Sequence, residues 1–259
     1  MTSTLTAKQW LSELELISQE SAAIALHYFN NNPKIEEKVN KTVVTQADLE
    51  IEQKVRDGII KKFPNLVVYG EEFGACDKTA PLKLIIDPID GTYNFARGIP
   101  IFATLLAIEL NGEVIAGLVH NPVTKETWSA AKGEGAWYNN KPMKVSSIDK
   151  LEQAHLIHCS LYGIEAPKNN TGLLRLASKT HRQRGIGDFL IQMWVAQGFG
   201  EIGYDENLNP WDIAPMGIIL TEAGGAISQV NGKPFDIYQP TILTSNGLFH
   251  DEVVSLINA

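Results

Sequence analysis

Cysteine is scarce. Cys76 and Cys159 are the only two in 259 residues, and they lie far apart with no C-x-x-C spacing. A disulfide framework and a thiolate metal site are thereby set aside, and a reducing compartment, the cytoplasm, is the expected location. No apolar run approaches the length of about 20 residues that spans a bilayer. The start, Met1 to Lys8, lacks the basic segment and apolar stretch of a secretory signal. Positive charge is in deficit, with 22 Lys and Arg against 30 Asp and Glu, a formal net charge of −8. That balance gives no support to a nucleic-acid or anionic-membrane surface. The six histidines are scattered without ligand spacing and read as structural or surface groups. Internal repeats and low-complexity segments are absent too. Apolar residues are plentiful at 44%, enough for a core that needs no covalent or metal staple.

Hydrophobic periodicity places helices over residues 7–31 (Trp10, Leu11, Leu14, Ile17, Ile24 and Phe29 inward) and 46–63 (Leu49, Val55, Ile59 and Phe63 inward). Val67-Val68-Tyr69 and Leu84-Ile85-Ile86 read as short buried strands, each running straight into acids. Residues 102–110, 114–120 and 126–131 form a strand meander with a turn at Asn111-Gly112-Glu113. The second half alternates the two element types: helix 189–197, strand 200–204, helix 212–223 closed by Gly224-Gly225, and helix 247–258. A composition break near 145–152 divides the chain into residues 1–146 and 147–259. The expected class is mixed α/β, two sheet-containing halves with a cleft between them.

Glu71, Asp87, Asp90 and Asp212 fall at the ends of elements rather than on polar faces. Carboxylates held at the ends of buried strands are costly unless a cation neutralises them. Hard divalent ions with oxygen ligands fit, and Mg²⁺ is favoured where substrate phosphate oxygens complete the coordination. In Asp87-Pro88-Ile89-Asp90-Gly91-Thr92, Pro88 is expected to block continuation of the strand. The turn would then gather two carboxylates and the Ile89 carbonyl on one side. Gly91 permits tight folding, and Thr92 opens a short helix whose free N–H groups suit a phosphate. Taken one at a time these residues have plainer readings. Asp87 and Asp90 could be solvated turn residues, Glu71-Glu72 a solvated acidic pair, and Asp212 a helix cap or first-turn acid.

Taken together, Val44-Thr45-Gln46-Ala47-Asp48, Gly70-Glu71-Glu72, Asp87 to Thr92, Trp211-Asp212 and Glu222-Ala223-Gly224-Gly225 resemble the inositol monophosphatase family over nearly the whole chain. The resemblance implies a layered α/β/α/β/α sandwich and a Mg²⁺-dependent, lithium-sensitive phosphatase with two or three ions per site, acting as a homodimer. It implies Glu71, Asp87, the Ile89 carbonyl, Asp90 and Asp212 as metal ligands, most of them in the N-terminal half. It further implies Thr92, hydrogen-bonded to Asp48 and beside Glu71, as the group that orients the attacking water. Backbone groups of Gly91 and Thr92 would hold the phosphate. Lys38 is similar to a family lysine near the metals, but this chain has Asn40 where that motif usually carries an acid, and a solvated lysine is its other reading.

For the substrate, Asn94 to Pro100, Arg184 to Phe189 and Leu208 to Asp212 resemble the histidinol-phosphate phosphatases of the family. Asp188 stands where polyol-specific members usually carry a small residue or Thr. A carboxylate there would pair with the ammonium of histidinol phosphate and disfavour a neutral polyol. Its other reading is an N-cap for the helix that follows. Asp205 could contact either kind of substrate. The alternatives are inositol 1-phosphate, a broad range of sugar and nucleotide phosphates, or a regulatory binding role without catalysis.

Overall fold

The structure, a computed structural model, describes residues 5–31, 35–37, 43–75, 77, 79–161 and 170–259. Lys38, Asn40 and Cys76 lie outside the described residues. In chain order the elements of the first half are α1 (Ala7–Phe29), β1 (Ile35–Glu37), β2 (Val43–Thr45), α2 (Gln46–Lys62), β3 (Val67–Gly70), β4 (Leu82–Asp90), α3 (Thr92–Ala96), β5 (Ala103–Leu110), β6 (Glu113–Asn121), β7 (Glu126–Ala131), β8 (Gly135–Tyr138) and β9 (Lys141–Pro142). The second half contributes β10 (His155–His158), α4 (Thr171–Ala177), β11 (Arg182–Gly185), α5 (Leu190–Ala196), β12 (Ile202–Glu206), α6 (Pro210–Glu222), β13 (Ala226–Ser228), β14 (Thr241–Ser245) and α7 (His250–Asn258).

Strands β3 to β9 form one seven-stranded sheet in sequence order, antiparallel except for the parallel β3–β4 pair. The second sheet has five strands in the order β11-β10-β12-β14-β13, with parallel and antiparallel pairs. Both faces of the larger sheet are covered. Along β5, Leu106 and Ile108 join the core beneath α1 and α2, while Leu105 and Ala107 join the core that holds α5 and α6. Helices α5 and α6 lie between the two sheets, and α4 and α7 pack on the far side of the smaller one. The five layers are α/β/α/β/α. Two of the four edge strands of these sheets are poor templates for further pairing: β9 contains Pro142, and β11 is the exposed run Arg-Gln-Arg-Gly.

Helix α1 starts where its cap dictates: Gln9 N donates to Thr6 Oγ1 at 3.2 Å, and Thr6 N donates to Gln9 Oε1 at 2.9 Å. Strand β4 departs from expectation. Pro88 does not end it; pairing with β5 continues to Asp90 through a register shift, with Asp87 opposite Leu105 and Asp90 opposite Ala103. Proline has no N–H to give the ladder, and an extra residue at a bulge accommodates it. Thr104 Oγ1 donates to the Pro88 carbonyl at 2.8 Å, satisfying an acceptor that the bulge leaves over. Among the described residues no helix is long and apolar enough to cross a membrane.

Candidate metal centre and active site

The β4 bulge delivers two carboxylates to one end of the sheet. Asp87 is 2% exposed, and its Oδ1 accepts from Ile89 N at 3.0 Å, which shapes the turn. Gly91 then reverses the chain at φ +82°, and a Cβ there would lie 2.9 Å from the Ile101 carbonyl oxygen. Only glycine meets both conditions cheaply. Thr92 begins α3, and its Oγ1 donates to the Ile89 carbonyl at 2.9 Å.

Two helix starts supply the next acids by the same device. Asp48 and Asp212 are each the third residue of their helix, three positions after the capping residues Thr45 and Asn209. Asp212 Oδ2 accepts from Asn209 N at 2.7 Å, which spends one oxygen on the cap and leaves the other for the cleft. The cap and ligand readings of Asp212 are therefore compatible. Asp48 Oδ2 accepts from Thr45 N at 2.9 Å and Thr45 Oγ1 at 2.6 Å, while its Oδ1 is buried with no partner among the described residues. This corrects one expectation: Asp48 is paired with Thr45, and the Thr92 hydroxyl is committed to Ile89.

One carboxylate oxygen each from Asp87, Asp90 and Asp212 lie within 4.8 Å of one another. Glu71 stands beside this trio, close enough that its charge raises the pKa of both Asp87 and Asp212. Its backbone N donates to the Ile86 carbonyl at 3.2 Å, next to Asp87 in the chain. Tyr69 stacks edge-on against Trp211 with centroids 5.6 Å apart, docking the end of β3 on the start of α6. Burial, followed by mutual repulsion, holds the carboxyls of Asp87 and Asp90 well above the usual range. Burial likewise pushes Asp212 and Asp48 to about 7. Such a cluster ionises fully only if a cation shares it. A converging all-oxygen set with an unpartnered buried oxygen beside it suits a hard divalent ion, so the residues fit Mg²⁺.

Asp188 is not the N-cap of α5. Its φ is +53°, the helix begins at Leu190, and Phe189 holds the cap position. The Phe189 amide instead donates to Asp90 Oδ2 at 2.7 Å, tying the carboxylate cluster to this turn. Asp188 Oδ2 accepts from Asn94 Nδ2 at 2.8 Å and lies 3.4 Å from where a Gly91 Cβ would be. Asp205, on β12, is pushed up to about 8, chiefly by burial and also by the charges of Asp188 and Asp212. The Cys159 thiol beside it is raised by burial and by that carboxylate. Asp188 and Asp205 thus add two acids beyond the converging trio, and the charge of Asp188 raises both Asp90 and Asp212. Asn94 was assigned no role from the sequence; its position three residues after Gly91, on the same short helix as Thr92, is the signal that could have found it.

The model of the inositol monophosphatase family matches residues 8–259. A histidinol-phosphatase of Mycobacterium tuberculosis is 36% identical over 87% of this chain and 88% of its own length. A fructose-1,6-bisphosphatase/inositol-1-monophosphatase of Thermotoga maritima is 35% identical over 95% of this chain and 94% of its own. Among solved structures, a Thermotoga maritima IMPase superposes with a TM-score of 0.87 at 33% identity, covering 96% of this chain and 97% of the other.

Proposed function

Because the chain belongs to the inositol monophosphatase family, whose members act on small phosphate esters, we propose that its carboxylate cluster is a Mg²⁺-dependent phosphomonoesterase site whose preferred ester is L-histidinol phosphate. The observation that carries the reaction is the convergence of Asp87, Asp90 and Asp212 within 4.8 Å, with their carboxyls driven upward by burial and mutual repulsion. Asp87, Asp90, Asp212, Glu71 and the Ile89 carbonyl would hold the cations. Bound there, Mg²⁺ supplies the positive charge and Lewis acidity that a phosphate needs in so acidic a cleft.

The chain's own groups do the rest. Glu71 takes a proton from the attacking water. The Thr92 hydroxyl has given its hydrogen to Ile89, so its oxygen is left to accept the water's other hydrogen and aim the lone pair at phosphorus. Backbone N–H groups of Gly91 and Thr92, with no helical carbonyl behind them, hold the phosphate. A bond forms from water oxygen to phosphorus as the ester P–O bond breaks; the leaving alkoxide takes a proton from solvent water, and Glu71 returns the proton it took to solvent.

The substrate reading rests on Asp188, a carboxylate beyond the trio, which suits an ammonium-bearing leaving group better than a neutral polyol; Asp205 could contact either kind. The similarity to named histidinol-phosphatases supports it. The alternative is inositol 1-phosphate or a broader range, favoured by the double name of the Thermotoga maritima relative. A homodimer in the cytoplasm belongs to the same reading; the dimer rests on family resemblance and the compartment on the scarcity of cysteine.

Turnover of histidinol phosphate, inositol 1-phosphate and adenosine bisphosphate with Mg²⁺, with and without lithium, tests both levels. Histidinol phosphate should lead in kcat/KM by about tenfold or more, the worth of one charge-assisted hydrogen bond. Preference for inositol phosphate would overturn the substrate, and no Mg²⁺-dependent turnover of any ester would overturn the reaction.

A further inference from the structure

Helix α2 buries a second carboxylate one turn after Asp48. Glu52 is 0% exposed, and the reaction above does not use it. Its Oε1 accepts from Arg56 Nε at 2.9 Å, Arg56 Nη2 at 2.6 Å and the Phe73 amide at 3.2 Å. Its Oε2 accepts from the Glu72 amide at 2.8 Å. Arg56 reaches past it: Nη1 donates to the Val68 carbonyl at 3.1 Å, Nη2 also donates to the Gly74 carbonyl, and the guanidinium lies 5.8 Å from the Phe73 ring centroid. The turn is closed on itself by Gly70 N to Gly74 O at 3.2 Å and Gly74 N to Gly70 O at 3.0 Å. The fit is tight enough that a Cβ on Gly70 would fall 2.2 Å from Glu52 Oε1.

Glu71 is thus flanked by residues that this ion pair holds or packs against, while its own amide is anchored to β4 beside Asp87. A buried ion pair is a poor way to gain stability, because desolvation offsets most of the attraction. What it supplies here is a set of directed bonds to four backbone groups around one carboxylate, with no net charge added to the acidic cleft.

We propose that Glu52 and Arg56 are positioning residues that fix Glu71 against Asp87 and Asp212 and so set the strength of Mg²⁺ binding. The inference rests on the reading of Glu71 as a metal ligand. The test is calorimetric titration of the intact protein with Mg²⁺ alone, without substrate, for the unmodified chain, E71A, R56A, the E71A/R56A double variant and R56K.

R56A should bind Mg²⁺ roughly tenfold or more weakly, the usual effect of losing an outer-shell partner. R56K should fall between R56A and the unmodified chain. In the E71A background, R56A should change binding by less than about twofold, since the two act through one carboxylate. R56A within about twofold of the unmodified chain, or an equal loss with and without Glu71, would overturn the proposal. E71A binding Mg²⁺ like the unmodified chain would instead remove its premise, the assignment of Glu71. If R56A fails to fold, R56K with amide hydrogen exchange at Glu72 and Phe73 decides: faster exchange with weaker Mg²⁺ binding supports the proposal, and faster exchange with unchanged binding refutes it.

Discussion

Asn94 holds Asp188 by a 2.8 Å hydrogen bond to Oδ2, joining a helix that starts at Thr92 to a turn that is 94 residues further on. The bond fixes the carboxylate beside Gly91. For the proposed substrate this sets a direction. Asp188→Ala is expected to raise KM for histidinol phosphate by about tenfold or more, as loss of a hydrogen bond to a charged group does, and to change KM for inositol 1-phosphate much less. Steady-state kinetics on both esters checks it. Equal changes on the two would make Asp188 a scaffold residue for the turn.

The raised carboxyls predict how stability responds to pH. Asp48 and Asp212 are pushed from 3.8 to about 7, and Asp205 from 3.8 to about 8. Between the ordinary value and the raised one, the folded state holds more protons than the unfolded state. Their contribution therefore makes the metal-free protein less stable as pH rises through that window. With chelator present, Tm by scanning calorimetry should be lower at about pH 8 than at about pH 5.5. Mg²⁺ competes with those protons, so the rise in Tm that it produces should be larger at the higher pH. A Tm gain from Mg²⁺ that shrinks as pH rises would count against a carboxylate cation site.

Much of this site was legible as local chemistry. Asp87 to Thr92 is a contiguous turn, Glu71 stands where an apolar run ends and Asp212 where one begins, so their convergence needed only two strands and a helix start. Asp48 could have been read further: Thr45-x-x-Asp48 has the spacing of a reciprocal helix cap, which names Thr45 as its partner. Glu52 falls in phase with Asp48, Ile51, Val55 and Ile59 on the inward face of α2, so its burial was readable. Its bonds to Glu72 and Phe73 were not, because they join residues 20 and 21 apart across a tertiary contact.

The bulge at Pro88 was hidden for a different reason. Proline signals a strand end unless a neighbouring strand absorbs the offset, and only the Thr104 pairing shows that it does. Strands β11 and β13 escaped because four exposed polar or glycine residues, and the three-residue run Ala226–Ser228, carry too little alternation to register. The cap reading of Asp188 was open because an acid before an apolar run has that signature, whereas a left-handed φ shows only in three dimensions.

Asp87→Asn should separate activity from stability. The amide removes one ligand charge, and catalysis should fall by at least about a hundredfold, since the Lewis-acid contribution is worth several kcal/mol. The same change relieves a desolvated charge that Glu71, Asp90 and Asp212 repel. In chelator at about pH 8 the variant should therefore melt higher than the unmodified protein, by about 2–4 °C for each kcal/mol relieved. Parallel assays of kcat and metal-free Tm test the pair. A variant that loses both would show that Asp87 is held by structural bonds rather than strained by repulsion.

Gly91→Ala probes the turn itself. A methyl group there meets two penalties: the left-handed backbone costs about 1–2 kcal/mol for an L-residue, and the Cβ falls 2.9 Å from the Ile101 carbonyl oxygen, a backbone atom that cannot rotate away. Urea denaturation should show a loss of at least that magnitude, with an unchanged m-value. Relief of the clash would move Gly91 away from Ile101, and Asp90 and Thr92 are its direct neighbours. Activity measured well below the unfolding midpoint should therefore fall more than the folded fraction does. A variant with lowered stability but full turnover per folded molecule would show that the turn tolerates displacement and that Asp90 is positioned by its bond to the Phe189 amide instead.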